Sequence, residues 1–170
     1  GVSRLSLRDE NKCYVDSEWL TSIHFNPNGF TYVSEQDGYS HIYLYSPTGV
    51  MQRQVTKGNW DVTRLIGYDD AAKVVYYESA EESPLRRSVY KIDQKGVKTK
   101  LSENEGTNSA DFSANYAYFV NNYSNANTPA VITVNETKSK KVLRVLQDNA
   151  ALREKLASTS FSKKEFFKVH

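Results

Sequence analysis

The fold is decided by the stretch TSIHFNPNG at residues 21–29, because its pattern returns twice further along the chain. The second copy is TRLIGYDD at residues 63–70, and the third is TNSADFSAN at residues 107–115. Each copy begins with threonine and reaches an aromatic residue at its fifth or sixth position. Such a repeat takes priority over other signals, because a period of about 20–50 residues indicates a repeat architecture.

The three aromatic residues, Phe25, Tyr68 and Phe112, are separated by 43 and 44 positions. Each is followed by three further apolar runs, and turn-forming residues separate the last two runs, as in SPTG at residues 46–49 and DQKG at residues 93–96. Four short strands per unit at this period are typical of propeller blades. The alternative is an ordinary β-sandwich with evenly spaced strands, and the threefold agreement in order and spacing favours blades.

The sequence therefore predicts an all-β chain of about three four-stranded antiparallel blades from a larger β-propeller, with a short C-terminal helix. We interpret residues 1–170 as a single piece of one propeller domain. The predicted divisions are the end of a preceding blade at 1–16, blade-like units at 18–60, 61–106 and 107–147, and a helix with an exit strand at 148–170.

Both ends of the chain carry further local signals. The stretch DNAALREKL at residues 148–156 predicts a helix, with Asp148 or Asn149 as its N-cap. Leu152 and Leu156 would share one face of that helix. Apolar runs also predict three additional strands, at Arg4–Leu7, Lys12–Asp16 and Phe161–Val169.

Composition excludes several classes of partner and site. The net charge is +2, from 22 basic and 20 acidic residues, which is too balanced for a nucleic-acid or anionic-membrane surface. No apolar run approaches the roughly 20 residues that a membrane helix needs. Cys13 is the only cysteine, so an intrachain disulfide is excluded. We expect no cofactor and no metal site.

Three blades do not close a ring, because propellers usually close with about 4–8 blades. The sequence also shows no polar capping unit at either end, which an open array of repeats would need. We therefore expect the chain to be part of a longer protein, whose remaining blades cover its terminal faces. In isolation, the open blade faces are expected to cause self-association.

In detail, residues 25–45, FNPNGFTYVSEQDGYSHIYLY, resemble the F-x-P-D-G opening and the S-E-x-[DE]-G-Y-x-H-[IL] run of the dipeptidyl peptidase IV family, in the prolyl oligopeptidase clan. Residues 55–62, VTKGNWDV, are similar to its T-K-G-x-W-[ED]-V segment, and residues 143–152, LRVLQDNAAL, to its L-R-V-L-E-D-N-x-A-L segment. The resemblance extends from about Tyr14 to Val169. The sequence resembles bacterial members of the family more than animal members.

This resemblance implies the C-terminal part of an eight-bladed propeller that sits over an α/β-hydrolase domain in a serine exopeptidase. Such enzymes remove N-terminal dipeptides whose second residue is proline or alanine, and the propeller restricts entry to small or unfolded peptides. The implied partners are the other blades, the hydrolase domain and a peptide substrate, in a parent protein expected to be periplasmic, secreted or at the cell surface. A related prolyl tripeptidyl or acyl-peptide peptidase and a non-catalytic protein-binding propeller stay open as alternatives.

No catalytic residue is assigned in this chain. The G-x-S-x-G motif of a hydrolase nucleophile is absent from the sequence, and its histidines are His24, His41 and His170. The pair Glu81-Glu82 has the composition of the family's glutamate pair, which holds the substrate's amino group. It lies outside the Tyr-Glu-Glu context of that pair, so we interpret it as a solvated acidic loop.

His41 lies just before the third strand of its blade. A role as a base or metal ligand would need a second functional group at a useful spacing, and none is apparent. We therefore interpret His41 as a structural histidine that hydrogen-bonds neighbouring groups, and His24 in the same way. Glu35 and Asp37 are interpreted as turn and cap groups.

Trp19 is the one candidate substrate-binding residue. In the resembling enzymes, this region contributes side chains near the outer substrate subsites. The family's aromatic-plus-arginine pair is replaced here by Glu18-Trp19-Leu20. The alternative role for Trp19 is a buried ring that packs within the blades.

Overall fold

A computed structural model describes residues 1–169. Its strands form three separate four-stranded antiparallel sheets, and each sheet is built from four strands that are consecutive in sequence. One short α-helix follows the third sheet. The predicted fold class is therefore confirmed, and we call the three sheets the first, second and third blades.

Strand order in each blade follows the chain. The first blade contains β1 His24–Asn26, β2 Gly29–Ser34, β3 His41–Tyr45 and β4 Met51–Gln54. The second blade contains β5 Val62–Asp69, β6 Val74–Ser79, β7 Ser88–Asp93 and β8 Lys98–Lys100. The third blade contains β9 Thr107–Phe112, β10 Tyr118–Asn125, β11 Thr128–Glu136 and β12 Val142–Gln147.

The core lies between the blades, because side chains alternate across each strand and the sheets pack face to face. Tyr76 and Tyr77 show this directly: they are neighbours on β6 and point into different clusters. Between the first and second blades lie Val33, Ile42, Val55, Val62, Leu65, Val75, Tyr77, Tyr90 and Ile92. Between the second and third blades lie Tyr76, Val89, Leu101, Ala110 and Phe119.

A buried hydroxyl recurs just after the fourth strand of the first two blades. Thr56 accepts a hydrogen bond from the backbone N–H of Ile42 at 3.0 Å, and Ser102 accepts one from the N–H of Val89 at the same distance. Both hydroxyl-bearing residues are 3% exposed. The equivalence supports the repeat with a feature independent of the apolar pattern.

The three repeat aromatics occupy different environments. Phe112 packs against the cluster between the second and third blades, and Tyr68 against the cluster between the first and second. Phe25 occupies the same position on β1, but it is 81% exposed because no earlier blade lies against it. The outer face of the first blade carries a third cluster, formed by Phe30, Tyr32, Tyr43 and Tyr45.

The predictions for the chain ends are wrong in part. Residues 4–7 and 12–16 form no strand, and neither do residues 161–169. The N-terminal segment instead runs along the first blade, where Leu7 packs against the outer cluster and Arg4 donates to the Thr48 carbonyl at 3.2 Å. Apolar residues alone do not make a strand, because its backbone needs a neighbouring strand to pair with.

The predicted C-terminal helix is present as α1, Ala150–Ala157. Asn149 occupies the N-cap position with a φ of 52°, and its side chain donates to the Ala130 carbonyl at 2.6 Å. Asp148 accepts from the Ala150 N–H at 2.9 Å, so the capping bond comes from the residue before the N-cap. Throughout residues 1–169, no helix has the length and apolar character needed to cross a bilayer.

Candidate substrate-facing site at the linker end

The two ends of the blades carry different segments. At one end, the first strand of each blade begins and the fourth ends, so this end holds the linkers at residues 55–61 and 101–106. The short 3-10 helix Ser17–Thr21 lies at the same end because it leads into β1. The chain also leaves the third blade here to enter α1. We call this the linker end.

Trp19 lies in the middle of the 3-10 helix. Its backbone N–H donates to the Asp16 carbonyl at 3.2 Å, and its own carbonyl accepts from the N–H of Ser22 at 2.9 Å and from the Ser22 hydroxyl at 2.7 Å. The Asp16 side chain caps the helix through the Glu18 N–H at 2.9 Å. The backbone that carries the indole is therefore held on both sides.

The indole of Trp19 is half-buried and packs at the border of two clusters, the outer cluster of the first blade and the cluster shared with the second. Its Nε1 donates to Glu35 at 3.4 Å. Trp19 and Glu35 also line a shallow crevice together with Tyr14 and Asp16. The structure thus places the candidate residue at the surface of the linker end, partly packed and partly accessible.

His41 is fully buried, and both of its ring nitrogens have partners. Nε2 lies 2.9 Å from the Gly58 carbonyl, and Nδ1 lies 3.1 Å from the Thr56 hydroxyl. These bonds are satisfied when Nε2 carries the proton and Thr56 donates to Nδ1. His41 therefore fastens the linker at residues 55–61 to the first blade, and the structural interpretation is confirmed.

His24 is half-buried on β1, opposite Thr31 in the strand ladder. Burial lowers the pKa of its imidazole, because a low-dielectric surrounding disfavours the charged form. Its position within a paired strand agrees with a structural role. His170 lies outside the described residues.

The interpretation of Glu81-Glu82 as a solvated acidic loop is wrong for Glu81 only, since both residues lie in the loop between β6 and β7 and Glu82 is exposed. The Glu81 side chain is 8% exposed and forms an ion pair with Lys98. Glu82 forms an ion pair with Lys100 at 2.7 Å and accepts from the Tyr90 hydroxyl at 2.9 Å. The Lys100 ammonium, together with the Tyr90 hydroxyl, lowers the pKa of Glu82. Both carboxylates thus have internal cationic partners, which leaves little free charge to hold a substrate's amino group.

Glu35 and Asp37 act within the loop between β2 and β3. Glu35 accepts from the Ser40 hydroxyl at 3.0 Å, and Asp37 accepts from the Tyr39 N–H at 3.4 Å, as expected of turn groups. Asp37 also approaches His41, with 4.0 Å between its carboxylate and Nε2. Across residues 1–169, no three histidine, cysteine or acidic side chains form a group suited to a metal ion.

A groove of about 780 Å³ lies at the C-terminal side of the linker end. It separates the β10–β11 hairpin tip from α1 and from the segment that follows the helix. Asn127 bridges the groove, since its amide both donates to the Lys164 carbonyl at 3.0 Å and accepts from the Lys164 N–H at 2.8 Å. Sequence reasoning missed this groove because its walls are distant in sequence.

Sequence reasoning also missed the contact between Trp19 and Glu35. The two residues are 16 positions apart, and neither the repeat nor the local motifs relate the 3-10 helix to the β2–β3 loop. The one available signal was topological: the residue before the first strand of a blade and the residue after its second strand lie at the same end.

Comparison with known proteins places this geometry among peptidase propellers. Residues 1–130 match the family described as the dipeptidyl peptidase IV (DPP IV) N-terminal region. The chain is 31% identical over 168 residues to dipeptidyl peptidase 4 of Trichophyton rubrum, covering 95% of this chain and 22% of that protein. It is 30% identical over 142 residues to a probable dipeptidyl peptidase 4 of Emericella nidulans, covering 81% and 18%.

Two crystal structures are similar to the chain. The first, Porphyromonas gingivalis dipeptidyl peptidase 4, is 57% identical with a TM-score of 0.94, and the similarity covers 98% of this chain and 24% of that one. The second, a putative dipeptidyl aminopeptidase IV from Bacteroides ovatus, is 26% identical with a TM-score of 0.62, covering 74% and 21%. The chain thus spans about a fifth to a quarter of the length of the proteins it resembles.

Proposed function

The chain belongs to the family of dipeptidyl peptidase IV N-terminal regions, and from this premise we propose that it supplies non-catalytic propeller blades to a serine exopeptidase. That enzyme removes N-terminal dipeptides whose second residue is proline or alanine. The blades form part of the wall through which peptides reach a separate hydrolase domain. The family resemblance expected from the sequence is confirmed, and the 57% identity to a bacterial protein agrees with the expected bacterial character.

The observation that carries the proposal is the similarity of nearly this whole chain to about a quarter of a crystallised dipeptidyl peptidase 4. The chain's own chemistry supports a non-catalytic role. Its sequence has no G-x-S-x-G motif, and its buried histidine is occupied by hydrogen bonds on both ring nitrogens. The adjacent glutamates Glu81 and Glu82 are paired with lysines.

The same proposal gives Trp19 a role in substrate binding. Trp19 is at the linker end, where the chain also leaves the third blade. An aromatic ring at this position offers an apolar surface to peptide residues beyond the cleaved dipeptide. The crevice beside it is lined by Asp16 and Glu35, so its surroundings are acidic.

Activity measurements test the proposal directly. The full-length protein is expected to hydrolyse a Gly-Pro or Ala-Pro chromogenic amide, and the 170-residue chain alone is expected to be inert. An inactive full-length protein would instead favour one of the alternatives, a protein-binding propeller or a related peptidase with another specificity. An active isolated chain would contradict it outright.

The role of Trp19 has its own test in the full-length protein. Trp19→Ala is expected to raise the KM for tri- and tetrapeptides relative to the KM for a dipeptide amide. Unchanged KM values for the longer peptides would remove Trp19 from the substrate site while leaving the dipeptidase assignment intact.

A further inference from the structure

The Glu35 carboxylate joins two parts of the linker end through a single oxygen. Its Oε1 accepts from the Trp19 indole N–H at 3.4 Å and from the Ser40 hydroxyl at 3.0 Å. Ser40 is 3% exposed and immediately precedes β3, and its backbone N–H donates to the Asp61 carboxylate at 2.9 Å. Glu35 is therefore held by a buried part of the blade rather than by a free loop.

The indole combines apolar packing with one polar contact, its hydrogen bond to Glu35. The Trp19 backbone is held by the 3-10 helix, and its half-buried ring packs against two apolar clusters. An indole N–H is a donor only, so one well-placed acceptor selects one orientation of the ring. Glu35 supplies that acceptor, and Ser40 keeps the carboxylate in place.

Other groups around the crevice do not duplicate this role. Asp16 is engaged in capping the 3-10 helix through the Glu18 N–H. The Ser22 hydroxyl is donated to the Trp19 carbonyl and thus acts on the backbone rather than the ring. Among the residues 1–169, Glu35 is the one side chain that hydrogen-bonds the indole.

We propose that Glu35 is a positioning residue for Trp19 and thereby sets the selectivity of the parent peptidase for peptides longer than the cleaved dipeptide. This rests on the proposed function, in which Trp19 contacts those outer peptide residues. The carboxylate fixes which face of the indole is turned toward the substrate. The substrate contacts the ring and does not contact Glu35 itself.

The test uses the full-length protein with a tetrapeptide and a dipeptide amide as substrates. Glu35→Leu removes the acceptor at similar volume, and it is expected to raise the tetrapeptide KM about three- to tenfold relative to the dipeptide-amide KM, the range for one net hydrogen bond. Glu35→Gln keeps an acceptor oxygen and is expected to restore the wild-type KM ratio. Glu103→Leu, at an exposed acidic residue on the same end, is the matched control and is expected to leave both KM values unchanged.

Combining substitutions separates positioning from general structural support. In a Trp19→Ala background, adding Glu35→Leu is expected to change the KM ratio no further, because the ring it orients is gone. An unchanged KM ratio in Glu35→Leu beside a raised ratio in Trp19→Ala would overturn the positioning role alone. An equal rise in KM for both substrates in Glu35→Leu, which Glu35→Gln does not reverse, would overturn the positioning role as well. If Trp19→Ala itself has no effect, the proposed substrate role of Trp19 fails, and the positioning role fails with it.

Discussion

Gly67 lies directly beneath the hydroxyl of Tyr116, and a β-carbon at position 67 would come within 2.3 Å of that oxygen. The contact crosses the boundary between the second and third blades. Tyr116 cannot easily move away, because its ring stacks on Tyr76 with centroids 4.5 Å apart and planes inclined by 3°. A glycine on β5 thus makes room for an aromatic stack between blades.

Gly67→Ala is accordingly expected to lower the free energy of unfolding by about 1–3 kcal/mol, the usual cost of overpacking. Replacing Tyr116 with Phe in the same chain removes the oxygen and is expected to recover part of that loss. Thermal or urea unfolding of the two single variants and the double variant measures the effect. Equal destabilisation by Gly67→Ala with and without Tyr116→Phe would contradict the steric explanation.

Arg64, on β5, contacts two carboxylates of unequal exposure: Glu78 in its own blade and Asp111 in the third blade. It reaches Glu78, which is 8% exposed, at 3.2 Å and Asp111, which is 80% exposed, at 2.7 Å. Arg64→Met leaves the buried Glu78 charge without its cation, so a loss of about 2 kcal/mol is expected. Asp111→Asn removes only an exposed pair and is expected to cost less than about 1 kcal/mol. Chemical denaturation of both variants checks the order, and the reverse order would refute it.

Tyr77 and Tyr90 stack within one cluster, but only one of their hydroxyls forms a hydrogen bond. The Tyr77 hydroxyl is buried with no hydrogen-bond partner among residues 1–169, and burial raises its pKa. The Tyr90 hydroxyl donates to Glu82 at 2.9 Å. Tyr77→Phe is therefore expected to leave stability unchanged or to raise it by up to about 1 kcal/mol, whereas Tyr90→Phe is expected to lower it by about 1 kcal/mol.

Unfolding free energies of the two phenylalanine variants are directly comparable, because each loses only an oxygen. A clear destabilisation by Tyr77→Phe would show that its hydroxyl has a partner, such as an ordered water. The Tyr90 variant serves as the internal control for the sensitivity of the measurement.

The ion pair between Glu82 and Lys100 predicts a dependence on pH. The pKa of Glu82 is lowered in the folded chain, so the folded state binds a proton there less readily than the unfolded state. Its contribution to stability is present above the ordinary glutamate pKa of about 4.3 and is lost as pH falls through the folded value. The stability difference between wild type and Glu82→Gln is therefore expected to shrink as the pH is lowered toward 3. A difference that stays constant over that range would contradict the linkage.

The sequence predicted the blades well because their signals are local and repeated. Strands such as β3 and β7 are short runs rich in β-branched and aromatic residues, and turn residues mark where each strand ends. Phe25, Tyr68 and Phe112 gave the register of the repeat. Their different burial was not readable from the sequence, because exposure depends on whether a neighbouring blade is present.

The errors concern features that depend on distant partners. The strands predicted at residues 4–7, 12–16 and 161–169 are not formed, since no strand lies beside them to complete a ladder. The lysines that pair with Glu81 and Glu82 are 17 and 18 positions away on another strand. Of the candidate site, only Trp19 was named from the sequence. Its contact with Glu35 became apparent only from the arrangement of the strands in the blade.

The order of strands also affects how the chain folds during its synthesis. Every sheet is completed by four strands that follow one another directly, so no strand waits for a partner from a distant blade. As the polypeptide emerges from the ribosome, each blade has all of its backbone hydrogen-bond partners within a short stretch of newly made chain. Short-range pairing of this kind favours rapid folding, and it lets one unit become ordered before the next is synthesised. A slow codon cluster placed between two blades would thus pause synthesis after a sheet whose two central strands are already paired on both sides.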